Sequence, residues 1–253
     1  MNVGTGVPTF TRILLFVSTV LLAVDTKLSG DIHFESGIKR VALLELFTSQ
    51  GCSSCPPAES WLNRFENDSR LWKVVVPVAF HVDYWDRLGW EDPFASKAYT
   101  NRQYRYRQTG GIDSVYTPGF VLNGREWRGW FNRSGLRIPG ENTGNLSVSI
   151  EDGNILATYS NFNDEHRLNV ALMAIGLQTH VKRGENRNRN LKQSFVSLFH
   201  GTYSPTKGSW RVPLPSIDRP DSEKLAIAVW ITSTNSLEPI QATGDWLPAS
   251  LFD

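Results

Sequence analysis

The chain has 253 residues and a formal net charge of +1, with 40% of its residues hydrophobic and 20% charged. That balance suits a globular protein with buried cores and excludes a disordered tract. The near-neutral charge gives no global field to recruit nucleic acid or anionic membrane, and the length suits one large domain or two ordinary ones.

At the N-terminus, Arg12 precedes an apolar run, Ile13 to Val24, which Asp25 ends. The run has the length of a signal-peptide core and falls short of the roughly 20 residues that a spanning helix needs. Residues 1–26 are read as a signal peptide or an N-terminal anchor, without a clean Ala-x-Ala cleavage site. Either reading exports the protein from the cytoplasm.

Beyond the polar stretch Thr26 to Gly37, Lys39 to Ser49 reads as a strand, nearly continuous in apolar residues and so covered on both faces. Ala58 to Phe65 has helical spacing, with Ala58, Trp61, Leu62 and Phe65 on one face. Val74 to Val82 is a second apolar strand. One helix between two strands predicts a right-handed β-α-β crossover with the strands parallel. Asp92 to Gln108 contains a helix that Gly110-Gly111 ends. Its Arg102, Arg105 and Arg107 alternate with Tyr104 and Tyr106, as a solvated face or the wall of a cleft would. From Tyr116 to Trp130, Asn123-Gly124 between two short strands predicts a type I′ hairpin.

The composition changes after Gly144. Ser147 to Tyr159, Leu168 to Val181, Phe195 to Tyr203, Trp210 to Leu214 and Leu225 to Thr232 read as strands with no helix between them, which points to an antiparallel sandwich or partial barrel. With a linker over 138–145, the expected fold class is α/β: an α/β domain over 38–137, then an antiparallel β-sandwich-like domain over 145–253.

The chemistry lies between the first strand and its helix. The chain has two cysteines, Cys52 and Cys55, too close in sequence to close a stabilising loop. A helix N-terminus stabilises a thiolate and lowers its pKa, and a two-residue spacing lets the second sulfur resolve a mixed disulfide formed by the first. Cys52, with the exposed sulfur, attacks in this scheme and Cys55 resolves. Pro56 and Pro57 start the helix near Pro57, leaving the dithiol in the preceding turn. A zinc site wants two further ligands, and the histidines (33, 81, 166, 180, 200) show no paired spacing. Thr117-Pro118 stands just before the hairpin, where a cis bond would turn the chain against the dithiol. His81, Asp83 and Trp85 alternate at the carboxyl end of the second strand and so share a face at that edge. His81 there either pairs with an acid to shape the loop, or stabilises the thiolate or binds substrate. The charged turn Arg183-Gly184-Glu185-Asn186 leaves a later strand and could reach back over the dithiol, though nothing local demands it.

Strand, Cys-x-x-Cys, helix, strand and then Thr-Pro opening a hairpin resembles the thioredoxin fold. The motif Thr48-Ser49-Gln50-Gly51-Cys52-Ser53-Ser54-Cys55-Pro56-Pro57-Ala58-Glu59, with Phe80 to Asp86, Gly89 to Phe94 and Val115 to Pro118, is similar to an uncharacterised secreted thioredoxin-like family that carries only a domain-of-unknown-function label. The resemblance implies a thioredoxin-like N-terminal domain and a bacterial periplasmic or secreted setting. It also implies that Thr117 and Pro118 align the substrate by pairing backbone with it, and that Glu45, as a buried carboxylate, relays a proton to the resolving cysteine. The expected site is then Cys52, Cys55 and Glu45 for chemistry, with Thr117, Pro118, His81 and Trp85 for substrate. No cofactor or metal is expected, nor nucleic acid, nor any membrane contact beyond an N-terminal anchor. The leading function is thiol–disulfide exchange with a protein or small-thiol partner. A binding or assembly module with a structural or regulatory disulfide, and metal handling through both sulfurs and His81, stay open.

Overall fold

The computed structural model describes residues 1–4, 32–132, 135–136, 138, 140–218 and 220–252. The apolar run assigned to a signal or anchor lies outside the described residues. In chain order, β1 (Ile32–Glu35), β2 (Ala42–Thr48), α1 (Pro56–Asn63) and β3 (Val75–His81) come first. A 3-10 turn over Asp83–Leu88 leads to α2 (Lys97–Gln108), then to the hairpin β4 (Gly119–Leu122) and β5 (Arg125–Glu126). Strands follow: β6 (Leu146–Glu151), β7 (Asn154–Tyr159), β8 (His166–Ile175), β9 (Leu177–His180) and β10 (Asn190–Gln193). The last are β11 (Val196–Tyr203), β12 (Trp210–Pro213), β13 (Lys224–Ser233) and β14 (Pro239–Leu247).

The expected α/β class, with a thioredoxin-like N-terminal domain ahead of a separate sandwich, is overturned. The molecule is mostly β-sheet, and one eight-stranded sheet, ordered β14-β13-β8-β11-β3-β2-β4-β5, runs through both regions. The join is β11, which lies parallel to β3 and antiparallel to β8; the Ala79 amide donates to the Phe195 carbonyl at 2.7 Å. All seven residues of β3 are buried, so it is an interior strand that needs a neighbour on each side. Its second neighbour comes from more than a hundred residues downstream.

The later strands also complete the first core. Along β8, Ala171, Met173 and Ile175 pack with α1 and α2, as do Ala226, Ala228 and Trp230 of β13. The alternate residues, Val170, Leu172 and Ala174 with Ile227, Val229 and Ile231, pack under a second sheet ordered β1-β6-β7-β12. The period of two thus splits each strand between two cores. The β-α-β unit does form: β2 and β3 are parallel, with Thr48 beside His81 at their carboxyl ends. That edge carries the site.

Candidate functional site

The chain turns out of β2 into the dithiol loop, where the Cys52 amide donates to the Ser49 carbonyl at 3.1 Å and the Cys55 amide to the Cys52 carbonyl at 3.2 Å. Cys55 is the N-cap and Pro56 the first residue of α1, one position earlier than the prolines suggested. The dithiol therefore lies directly against the positive end of the helix. Both cysteines are free thiols. Cys52 Sγ lies 3.3 Å from Ser54 Oγ. A hydrogen bond from Cys55 lowers the Cys52 pKa most; burial opposes it, bonds from Ser54 and Thr117 assist, and the result is about 6. Burial pushes Cys55 well above the ordinary thiol value, and the neighbouring Cys52 and Glu59 charges add to the rise. One geometric expectation is corrected: Cys52 is 0% exposed.

Beneath the dithiol lies a buried carboxylate, and it is Glu59. One helical turn after Cys55, Glu59 Oε1 accepts from Thr48 Oγ1 at 2.7 Å and from Gln193 Nε2 at 2.8 Å. Burial raises its pKa. Glu45 lies elsewhere. It leaves β2 three residues before Thr48, hence on the opposite face, where Arg102 Nε donates to it at 2.6 Å and the Tyr106 hydroxyl also donates to it. Arg102 is itself buried among Phe80, Tyr106 and Trp230, so it belongs to neither a solvated helix face nor an open cleft.

His81 is buried beside this group, and its acid partner is Asp92 rather than Asp83, with Nδ1 2.7 Å from Asp92 Oδ2. Burial works to lower the His81 pKa, but the Asp92 carboxylate prevails and raises it, with Glu59 contributing. Asp92 also accepts from the Gln50 amide at 2.8 Å, which ties the pair to the loop before Cys52. The alternation of His81, Asp83 and Trp85 stops at the 3-10 turn over Asp83–Leu88, and Asp83 instead accepts from the Thr100 hydroxyl. Trp85 still reaches the dithiol edge. A Cβ on Gly51 would stand 3.1 Å from its Cβ, and its Nε1 donates to Thr117 Oγ1 at 2.8 Å.

The Thr117–Pro118 bond is cis. α2 anchors this segment, since Gln103 Nε2 donates to the Tyr116 carbonyl at 2.7 Å while Gln103 Oε1 accepts from Tyr84. The tip of the β9–β10 hairpin reaches the dithiol loop. Asn186 Nδ2 donates to the carbonyls of Gln50 and Cys52, each at 2.9 Å. Glu185 Oε2 accepts from the Ser53 amide at 3.1 Å and its hydroxyl at 2.6 Å.

Cys52, Cys55, Thr117 and Trp85 thus meet at one edge, with His81 behind it and Glu45 apart. Thr48, Glu59, Asp92, Gln193, Glu185 and Asn186 were not singled out as site residues from the sequence. Glu59 alone had a local signal, at four residues from Cys55 on the same helix face. The others arrive through tertiary contact. Among the described residues no group of three His, Cys, Asp or Glu is placed to hold a metal ion. No helix among the described residues is long and apolar enough to cross a membrane.

Fold and site together define a protein of two large sheets and a two-stranded hairpin, with a dithiol at the carboxyl edge of a parallel strand pair. The chain belongs to the family described as a protein of unknown function, DUF1223, whose model matches residues 43–232. A structural-genomics crystal structure of an Agrobacterium tumefaciens protein is similar at a TM-score of 0.57 and 26% identity, over 82% of this chain and 94% of that one. HBP35 of Porphyromonas gingivalis matches at a TM-score of 0.48 and 12% identity, over 84% of this chain and 76% of its own. No curated protein matches the chain.

Proposed function

We propose that this is an exported protein whose Cys52 and Cys55 exchange thiols for disulfides with a protein or small-thiol partner. The observation that carries the reading is the asymmetry of the pair. Two free thiols meet at a helix start, one with its pKa lowered to about 6 and the other raised well above 9. A stapling disulfide has no use for that asymmetry, whereas sequential exchange does, since one sulfur must attack as thiolate while the other waits as thiol.

In the reducing direction the Cys52 thiolate attacks one sulfur of a partner disulfide. A Cys52–partner disulfide forms, the partner's S–S bond breaks, and its other sulfur leaves as thiolate. Cys55 then loses its proton, attacks Cys52 Sγ and closes the Cys52–Cys55 disulfide, expelling the second partner thiolate. Glu59 would take the Cys55 proton through the Thr48 hydroxyl, and its burial, which raises its pKa, suits it to that role as a base. Thr117 and Pro118 stand where they would align the incoming chain, and Thr117 also holds the thiolate. The oxidising direction runs through the same intermediates in reverse. Export is supported by the apolar run Ile13 to Val24.

Equilibration of the full chain in glutathione redox buffers, followed by thiol labelling and mass measurement, tests the proposal. Cys52 and Cys55 should titrate together as one two-electron couple. A dithiol that never closes to a disulfide in these buffers would overturn it.

A further inference from the structure

The Leu177–Gln193 hairpin is tied to the dithiol loop in an uneven way. Its base is pinned by several contacts, those of Gln193 buried. Gln193 bonds Glu59 and Gln50, Thr179 bonds Gln50, and Asn63 at the end of α1 bonds the Lys192 carbonyl at 2.8 Å. Its tip is held at the surface. From Lys182 to Arg189 every residue except Asn186 is exposed, and the tip's bonds to the dithiol loop run through Glu185 and Asn186 alone among the described contacts. Arg189 Nη1 donates to Asn186 Oδ1 at 2.9 Å and so turns the Asn186 amide nitrogen toward the loop. Gly184, at φ +73°, brings the tip against Trp90, where a Cβ would stand 3.1 Å from the Trp90 Cβ.

The groups that the tip occupies are telling. It takes the carbonyl of Cys52 and the amide of Ser53, the backbone acceptor and donor nearest the attacking sulfur. A polypeptide approaching the Cys52 sulfur would meet the tip on these neighbouring groups, and Cys52 is meanwhile 0% exposed. We propose that the hairpin tip is an autoinhibitory gate, latched by Glu185 and Asn186, and that a partner reaches Cys52 only when the latch opens. Its purpose, though not its geometry, rests on the exchange reading above. Opening breaks the two exposed bonds at Glu185 and the two buried bonds at Asn186, while the contacts of Gln193 and Thr179 keep the base in place, so it is a local rather than a global event.

The test uses the reduced full chain and measures how fast iodoacetamide labels Cys52, read by peptide mass. Glu185→Ala removes the exposed half of the latch, and Gly184→Val places a side chain against Trp90 at a positive φ. Each should label Cys52 about tenfold faster than the unaltered chain, as expected for loss of bonds to a charged group. Melting temperatures measured alongside should stay near that of the unaltered chain. Labelling at the unaltered rate in both variants would overturn the gate. Should one variant melt early, Glu185→Gln, which keeps the shape and loses the charge, must still label faster for the gate to stand. The assay needs no partner: faster labelling with no redox couple at Cys52 and Cys55 removes the exchange reading alone, and an intact couple with unchanged labelling removes the gate alone.

Discussion

The Cys52 thiolate depends on three neighbours, Cys55, Ser54 and Thr117, each donating toward a sulfur whose burial works the other way. Its pKa of about 6, below the ordinary 9, means that thiolate forms as pH rises through 6. Labelling of Cys52 by iodoacetamide should therefore climb between about pH 5 and 7 and then level, whereas an ordinary thiol keeps climbing to its own, higher pKa. Thr117→Val deletes one donor and should move that midpoint up by about one pH unit, the ~1.4 kcal/mol of a charge-assisted hydrogen bond. Glu59→Gln keeps the bond from Thr48 but gives up the base. Partner release from the mixed disulfide should slow by about a hundredfold in stopped-flow assays, while Cys52 labelling holds its rate. From the sequence, the Cys-x-x-Cys and Thr-Pro positions were legible because spacing alone defines them. The choice of Glu59 over Glu45 was not, since it turns on which face of β2 and of α1 meets the dithiol.

At the scale of the element, α2 anchors the edge from behind. Its Arg102 joins Glu45 across the sheet, both buried, and Gln103 fixes the carbonyl before Thr117. A buried pair is costly to break singly, so Glu45→Leu should lower stability in urea by about 3–5 kcal/mol, because the Arg102 charge is left unpaired. Adding Arg102→Met should recover much of the loss. Recovery would mark the pair as structural, as its place on the face of β2 opposite Thr48 implies. Elements with strong local signals were readable: the β-α-β unit, and the hairpin at Asn123-Gly124. Elements broken by glycine were read too long. Ser147 to Tyr159 is two strands that turn at Asp152-Gly153, and Leu168 to Val181 breaks at Gly176. The short, half-polar β1 and β10 carry little local signal, and they became visible only through their partners.

For the whole molecule, the decisive feature is that β11 pairs with β3. It turns two regions of different composition into one sheet, with β8 and β13 serving both cores. A compositional boundary near Gly144 was legible and marked a change of local structure, but pairing across more than a hundred residues leaves no local trace. A chain ending at residue 137 would expose the β3 edge and the apolar face that Met173, Ala228 and Trp230 cover. Such a fragment should show no cooperative thermal transition by circular dichroism, while the full chain should melt in one. Two resolved transitions in the full chain would contradict the shared core. The same continuity brings the β9–β10 hairpin over a dithiol some 130 residues earlier, so the site is a product of the entire fold.

The central claim is that Cys52 attacks and Cys55 resolves. Its most direct test expresses the full chain as Cys55→Ser and as Cys52→Ser, and separates each from an envelope extract on non-reducing gels. The account predicts reducible adducts with Cys55→Ser, joined through Cys52, and none with Cys52→Ser. Adducts in neither variant, or in Cys52→Ser alone, would contradict it.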